Sequence, residues 1–314
     1  AELFHAAIGG FGLLGCFTRI VLQTKHVYSG NVRVTGISTR NLREMMCSFE
    51  EHKGTSDYLV GWIDAFASGD DAGRGLIHKA DYLKPGEDAR PEESLRIEHQ
   101  ELPANIMGVF PKSQVWRALA CFNNDLGMRV VNAAKFMSGR LEGMREPYLQ
   151  SHAGFAFLLD YVPNWKWAYG RARGERGLIQ YQPLVPNAVA HDVHLDLLAR
   201  CRSAGHVPYL GVFKRHRPDP FWLTHALDGW SFALDFKVTP SNRASLWKLC
   251  GEMTEVVIAA GGRFYFAKDA VVRAEDTARF LPHDKLAAFA ALKRECDPEG
   301  LLEGNLYRRA FKDW

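Results

Sequence analysis

The sequence predicts an α+β protein. Three features predict it: segments with period-two alternation, helical stretches lying between them, and Gly or Pro at the ends of both. Residues 1–7 read as a helix, a glycine loop follows to residue 15, and residues 16–24 read as a β-branched strand. Residues 38–52 read as a helix capped by Ser38 or Thr39. A buried strand is expected over 58–66 and an alternating one over 76–82. Residues 84–103, rich in charge and Pro, read as an exposed excursion, and 113–137 as mostly helical. A strand over 177–185 ends at Pro186, and a helix over 188–204 is closed by Gly205. Alternating strands follow at 209–214 and 230–237, then a helix over 241–260 ending at Gly261 and Gly262. A strand over 263–268 and helices through much of 275–296 complete the order. There is no internal repeat and no low-complexity tract.

At 314 residues, 47% hydrophobic and 24% charged, the composition is that of a globular chain with one large domain or two. The net charge of +3 is small and scattered, which gives no case for nucleic acid. No apolar run approaches the roughly 20 residues of a membrane span. No secretory signal is visible, although the chain begins with Ala rather than Met. The expected location is cytoplasmic, with peripheral membrane association as the alternative. Six widely spaced cysteines form no CxxC pair and no Cys/His metal spacing, so reduced thiols and no metal are expected. His191 and His194, three apart on a helix, read as part of a solvated face.

Gly10, Gly12 and Gly15 spell GxGxxG, but in inverted context. A dinucleotide fingerprint needs a strand before the glycines and a helix after them. Here the helix comes first, so a Rossmann fold is excluded. The loop is either a tight turn using glycine for positive φ or a place where backbone approaches a phosphate closely. Gln180 and Gln182 share one strand face, which either lines a polar pocket or is the wet side of a half-exposed sheet.

Several segments together resemble vanillyl-alcohol-oxidase-type flavoproteins. Gly9-Gly10-Phe11-Gly12-Leu13-Leu14-Gly15 before a strand resembles the end of their FAD-binding domain. Gly261-Gly262-Arg263-Phe264-Tyr265-Phe266-Ala267-Lys268-Asp269 resembles their returning strand. Cys296-Asp297-Pro298-Glu299-Gly300-Leu301-Leu302 and Asn305-Leu306-Tyr307-Arg308-Arg309 resemble their C-terminal signature. The middle is similar to the decaprenylphosphoryl-ribose 2′-oxidase branch at Trp62-Ile63-Asp64-Ala65, Gln180-Tyr181-Gln182, Gly211-Val212-Phe213-Lys214, and from Gly229-Trp230 to Asp235-Phe236.

The resemblance implies a VAO/PCMH-type fold with residues 1–30 as the end of the FAD-binding domain. Residues 31–260 would be a substrate or cap domain with a large antiparallel sheet flanked by helices, and 261–314 would return to the FAD-binding domain. It implies FAD contacts from Gly9, Gly10, Gly12, Gly15 and Cys16, and from Tyr265, Ala267 and Lys268. Lys268 is the implied catalytic residue, acting as acid, base or charge holder. Without the resemblance it reads as a strand-end Lys paired with Asp269 in solvent. Gln180, Gln182, Lys214, Asp235 and Trp62 are the implied substrate contacts: amides for sugar hydroxyls, and a Lys for an anion, reinforced by Arg215, His216 and Arg217. Trp62 either packs on a sugar face or fills core, and Asp235 either serves the site or pairs with Lys237 at the surface.

Two departures stand out. The family's first FAD subdomain has no counterpart here, so a second half is expected in cis or in trans. Ala233 stands where the branch has a cysteine near the flavin. The expected activity is FAD-dependent oxidation of a hydroxyl on a sugar or sugar-like alcohol, such as a polyprenyl-phosphate-linked pentose in cell-wall precursor epimerisation. A separate nicotinamide-dependent reductase would then be the partner. The alternatives are an alditol or aldonolactone oxidase and a flavin-free binding module.

Overall fold

The computed structural model describes residues 2–106, 109–143, 146–156, 164–170, 177–268 and 270–311. In chain order, helix α1 (Glu2–Ile8) precedes β1 (Asn31–Thr39), α2 (Leu42–His52), β2 (Tyr58–Ile63) and β3 (Gly75–Tyr82). A short α3 (Pro91–Ser94), β4 (Asn105–Ile106) and β5 (Phe110–Pro111) lead to α4 (Val115–Phe122) and α5 (Asp125–Gly143). Then come β6 (Tyr148–Ser151), α6 (His152–Ala156), β7 (Gly177–Tyr181), β8 (Pro183–Pro186) and α7 (Ala190–Ser203). Strands β9 (Leu210–His216) and β10 (Gly229–Val238) precede α8 (Arg243–Ala259). The chain closes with β11 (Arg263–Phe264), α9 (Ala274–Phe280), α10 (His283–Cys296) and α11 (Asn305–Ala310).

Nine strands form one sheet in the order β11-β8-β10-β9-β2-β3-β1-β6, with β7 pairing on β10 beside β8. Every pairing in it is antiparallel. The fold is therefore the expected α+β type with a large antiparallel sheet. Its back face is aromatic. Phe213 stacks on Trp230 at 5.0 Å, Phe49 of α2 meets Trp230 edge-on at 5.5 Å, and α7 and α8 add Leu197, Leu198, Leu249 and Met253. This core also takes Leu13 and Leu14 from the glycine loop and Phe266, Phe280, Phe289 and Phe311 from the C-terminal part. One core thus draws on all three of the segments set out from the sequence.

The front face is covered more unevenly. Helix α5 lies on β1 and β3, where Phe136 packs with Trp62 and Leu76. Close approach depends on Gly139, because a Cβ there would stand 2.3 Å from Leu76. Beyond α5 the front of β9, β10 and β7 carries polar side chains.

Several local expectations need correction. Residues 16–24 form no strand; Phe17, Ile20, Val21 and Leu22 are exposed, and no described strand offers them a hydrogen-bonding edge. Ser38 and Thr39 end β1, which the sequence reading missed, and the cap of α2 is Asn41, whose side chain accepts from the Glu44 N–H at 3.0 Å. The single strand over 177–185 is split into β7 and β8, because Pro183 has no N–H for the ladder. Strand β10 is buried on both faces rather than alternating with solvent. The strand over 263–268 stops at Phe264 and continues as a 3₁₀ turn at Phe266–Lys268. His194 is fully buried among Phe213 and Phe232, not solvated, and burial draws its pKa down to about 4. Among the described residues no helix is long and apolar enough to cross a membrane.

The thiols give a direct check on this packing. Cys16, Cys47, Cys121 and Cys296 are exposed and free, whereas Cys201 and Cys250 are buried, and burial pushes the Cys250 thiol up to about 12. A thiol reagent on the native chain is expected to modify the four exposed cysteines quickly and the other two only after denaturation.

Candidate functional site

Antiparallel pairing places several of the sequence-selected side chains on one sheet face. Asp235 of β10 lies opposite Gln180 of β7, and Ser231 lies opposite Lys214 of β9. Between the Leu234↔Tyr181 and Ser231↔Leu184 pairs, the same register sets Gln182 beside Ala233. Ala233 faces Val212, which in turn faces Trp62 of β2. Gln180, Gln182, Lys214, Asp235 and Trp62 therefore share the front face, as alternation requires.

Asp235 is the buried hub of this face, 2% exposed. Gln180 Nε2 donates to its Oδ1 at 2.5 Å. Burial raises its pKa to about 6; the Gln180 hydrogen bond and the charges of Lys268 and Lys166 hold it from rising further. The Asp235–Lys237 surface pair, one of the two readings left open for Asp235, does not form, because Lys237 instead donates to the backbone carbonyl of Asn123 at 2.5 Å. Asp235, Gln180, Lys268, Ala267, Trp165 and Lys166 line one cleft of about 410 Å³. The structure thus brings Lys268 to Gln180 and Asp235. Lys268 itself is exposed at the end of its 3₁₀ turn rather than on a buried strand, and Asp269 lies outside the described residues.

The glycine loop approaches the same turn. Phe11 meets Phe266 edge-on at 5.7 Å, next to Ala267 and Lys268. Gly9 packs against residues 221–223, and a Cβ on Gly10 would stand 2.6 Å from the Ala6 carbonyl. Gly12 and Gly15 differ: φ is +76° and +155°, and nothing lies within 4 Å of where a Cβ would be. A Cβ-free backbone open on one side is what close approach by a phosphate requires. Cys16, Ala267 and Lys268 are also exposed, so both segments present accessible surface beside the open glycines.

A second polar group adjoins the cleft; the sequence points to its Gln182, His216 and Tyr265 but not to Ser231 or His225. His216 Nε2 and Ser231 Oγ are hydrogen-bonded at 2.7 Å, and Gln182 Nε2 reaches the same hydroxyl at 3.5 Å. The His225 ring lies 5.6 Å from His216 and 4.5 Å from Tyr265. Burial draws the His216 pKa down to about 4, with the charges of His225, Lys214 and Arg215 acting in the same direction. The expected basic cluster therefore dissolves. His216 is neutral, and Arg215 turns to the back, paired with Glu50 at 2.7 Å and Asp228 at 2.5 Å over the Trp230 ring. Lys214 and Arg217 stay exposed. The signal for His216 was present in the sequence, since it follows Lys214 by two residues on one strand. His225 sits in a loop and left none.

Trp62 is separated from this group. It is 4% exposed and packs with Leu76 and Phe136, beside a different cavity.

No family profile matches the chain. A curated relative, decaprenylphosphoryl-β-D-ribose oxidase of Mycolicibacterium smegmatis, is 26% identical over 98% of this chain. The chain is similar to that oxidase along almost its whole length. An uncharacterized protein in the mprA 5′ region of Streptomyces coelicolor is 27% identical, again over 98% of this chain. The chain spans 63% of the length of the mycobacterial oxidase and 80% of the Streptomyces protein. Among solved structures, 6-hydroxy-D-nicotine oxidase from Arthrobacter nicotinovorans superposes with a TM-score of 0.46 and 11% identity, covering 87% of this chain and 53% of that one.

The raised pKa of Asp235 makes stability depend on pH. The folded state holds this proton more tightly than the unfolded chain, whose carboxyl stays near 3.8. The contribution is therefore complete below that value and is lost as pH rises through about 6. Across about two pH units the loss is roughly 3 kcal/mol. Urea unfolding at pH 4 and pH 7 should show Asp235→Asn gaining about that much relative to the parent at the higher pH.

Proposed function

We propose that this chain forms the substrate-binding part, and one side of the flavin site, of an FAD-dependent oxidoreductase. Its reaction is oxidation of a hydroxyl on a sugar or sugar-like alcohol to a ketone. The observation that carries the proposal is the meeting of Lys268, Asp235 and Gln180 in one cleft beside the open glycine loop. The similarity to decaprenylphosphoryl-β-D-ribose oxidase supports it.

The backbone of residues 9–16, together with Tyr265, Ala267 and Lys268, would hold the nucleotide. FAD, when bound, supplies the hydride acceptor. The chain's own residues bind and orient the alcohol and handle its proton. Gln180 and Gln182 offer amide donors and acceptors that match sugar hydroxyls. Asp235, ionised above pH 6, accepts the hydroxyl proton. Lys268 holds the developing negative charge on the oxygen. Lys214, exposed on the same face, takes a phosphate or other anion carried by the substrate, such as a polyprenyl-phosphate-linked pentose. A ketone product would then pass to a separate nicotinamide-dependent reductase, completing an epimerisation.

The exposed apolar side chains of Phe17, Ile20, Val21 and Leu22 favour a second polypeptide half covering residues 16–24. The family's first FAD subdomain, in cis or in trans, is the proposed cover.

Mixing the purified chain with FAD, desalting and recording the visible spectrum tests the reading. Flavin bands should stay with the protein, and Gly12→Val should remove them by blocking the open backbone. Lys268→Met should slow bleaching by an oxidisable sugar about 10²-fold or more under anaerobic conditions. Failure to retain flavin, even with the unmatched part of the mycobacterial oxidase supplied in trans, contradicts the proposal.

A further inference from the structure

A second cavity, of about 220 Å³, opens between α5, the 3₁₀ turn at Trp165–Tyr169 and the front of β2 and β9. It shares Trp165 with the Lys268 cleft but contains neither Lys268 nor Asp235. Its walls are mainly apolar, with the aromatic rings of Trp62, Trp165, Tyr169 and Tyr209 among aliphatic side chains. Three polar side chains interrupt them, and each has unmet capacity.

Lys135 of α5 places its Nζ 4.7 Å from the centroid of the Trp62 ring. No carboxylate among the described residues pairs with it. Desolvation draws its pKa down to about 8, while part of the side chain stays open at the cavity mouth. At pH 7 the ammonium is still mostly charged. Asn132, one turn earlier on the same helix and 3% exposed, has a buried Nδ2 with no partner among the described residues. Asn123, 8% exposed, donates through Nδ2 to the Ala168 carbonyl at 2.6 Å, but its Oδ1 is buried and unpartnered. A buried donor without an acceptor is costly, and an ammonium over an aromatic ring at the mouth of the cavity, with no carboxylate partner among the described residues, is open to an anion. The group that satisfies the two donors, Lys135 Nζ and Asn132 Nδ2, offers two acceptor oxygens on a flat apolar body, and leaves Asn123 Oδ1 to a water or a donor on the ligand. The volume suits one or two rings, since a 150 Å³ apolar cavity is known to take benzene.

We propose that this cavity is a binding site for a small aromatic carboxylate, its oxygens on Lys135 Nζ and Asn132 Nδ2 and its ring against Trp62. The site does not depend on flavin, so it stands or falls separately from the oxidoreductase reading. Its position beside Trp165 makes it a subsite from which a bound acid narrows or blocks the neighbouring cleft.

Calorimetric titration at pH 7 with 2-naphthoate and with neutral 2-naphthalenemethanol is the test. The native chain should bind the acid at least about tenfold more tightly than the alcohol. Lys135→Met should abolish that preference, and Lys135→Arg should retain part of it. Lys268→Met should leave both affinities unchanged. If Lys135→Met is not folded by circular dichroism, Asn132→Leu replaces it and should cut naphthoate affinity several-fold. No binding of naphthoate, equal affinity for acid and alcohol, or a preference that survives loss of the Lys135 charge overturns the proposal.

Discussion

Burial of β10 on both faces is the constraint on which the rest depends. On its back, Trp230, Phe232, Leu234 and Phe236 fix the sheet against α2, α7 and α8. On its front, Ser231, Ala233 and Asp235 are 0%, 5% and 2% exposed, so little of their surface is left for water to solvate. A polar group in that position survives only with a protein partner. Gln180 supplies one for Asp235, and His216 with Gln182 supplies one for Ser231. The composition of the candidate site is in this sense dictated by the strand. Neighbouring strands supply an amide directly opposite Asp235, and an imidazole and an amide two residues off the positions paired with Ser231.

The same burial sets the electrostatics. Asp235 titrates near neutrality and His216 stays neutral because both are desolvated, not because a strong ion pair holds either one. Lys268, by contrast, is exposed on the near side of the cleft. A buried carboxylate, an amide orienting it and an accessible cation therefore line one cleft, the arrangement on which the proposed proton acceptance and charge compensation rest.

Period-two patterning made much of this legible in advance. Residues 58–66, 76–82 and 230–237 were read as strands, and the shared face of Gln180 and Gln182 follows from alternation alone. What alternation does not carry is which side solvent occupies. A surface pair with Lys237 therefore stands as an alternative for Asp235, and His194 reads as solvated, whereas the fold buries both. Residues 16–24 misled for the opposite reason. Their β-branched content is real, but a strand also needs a neighbouring edge, and none of the described strands supplies one. The short turn at Phe266–Lys268 was hidden because its apolar residues are spaced like a strand and only pairing distinguishes the two. Lys135 and its aromatic surroundings come from elements far apart in sequence, so no local pattern marked them.

The glycine loop and the Lys268 turn are more than 250 residues apart, yet Phe11 and Phe266 hold them together. That they face one flavin nucleotide is the central claim. Photolabelling with 8-azido-FAD followed by peptide mapping tests it most directly, using the unmatched part of the mycobacterial oxidase in trans as the covering half. Label on peptides containing residues 9–16 and 263–268, suppressed by excess FAD, is the predicted result. Label confined to other surfaces, or unaffected by excess FAD, would contradict it.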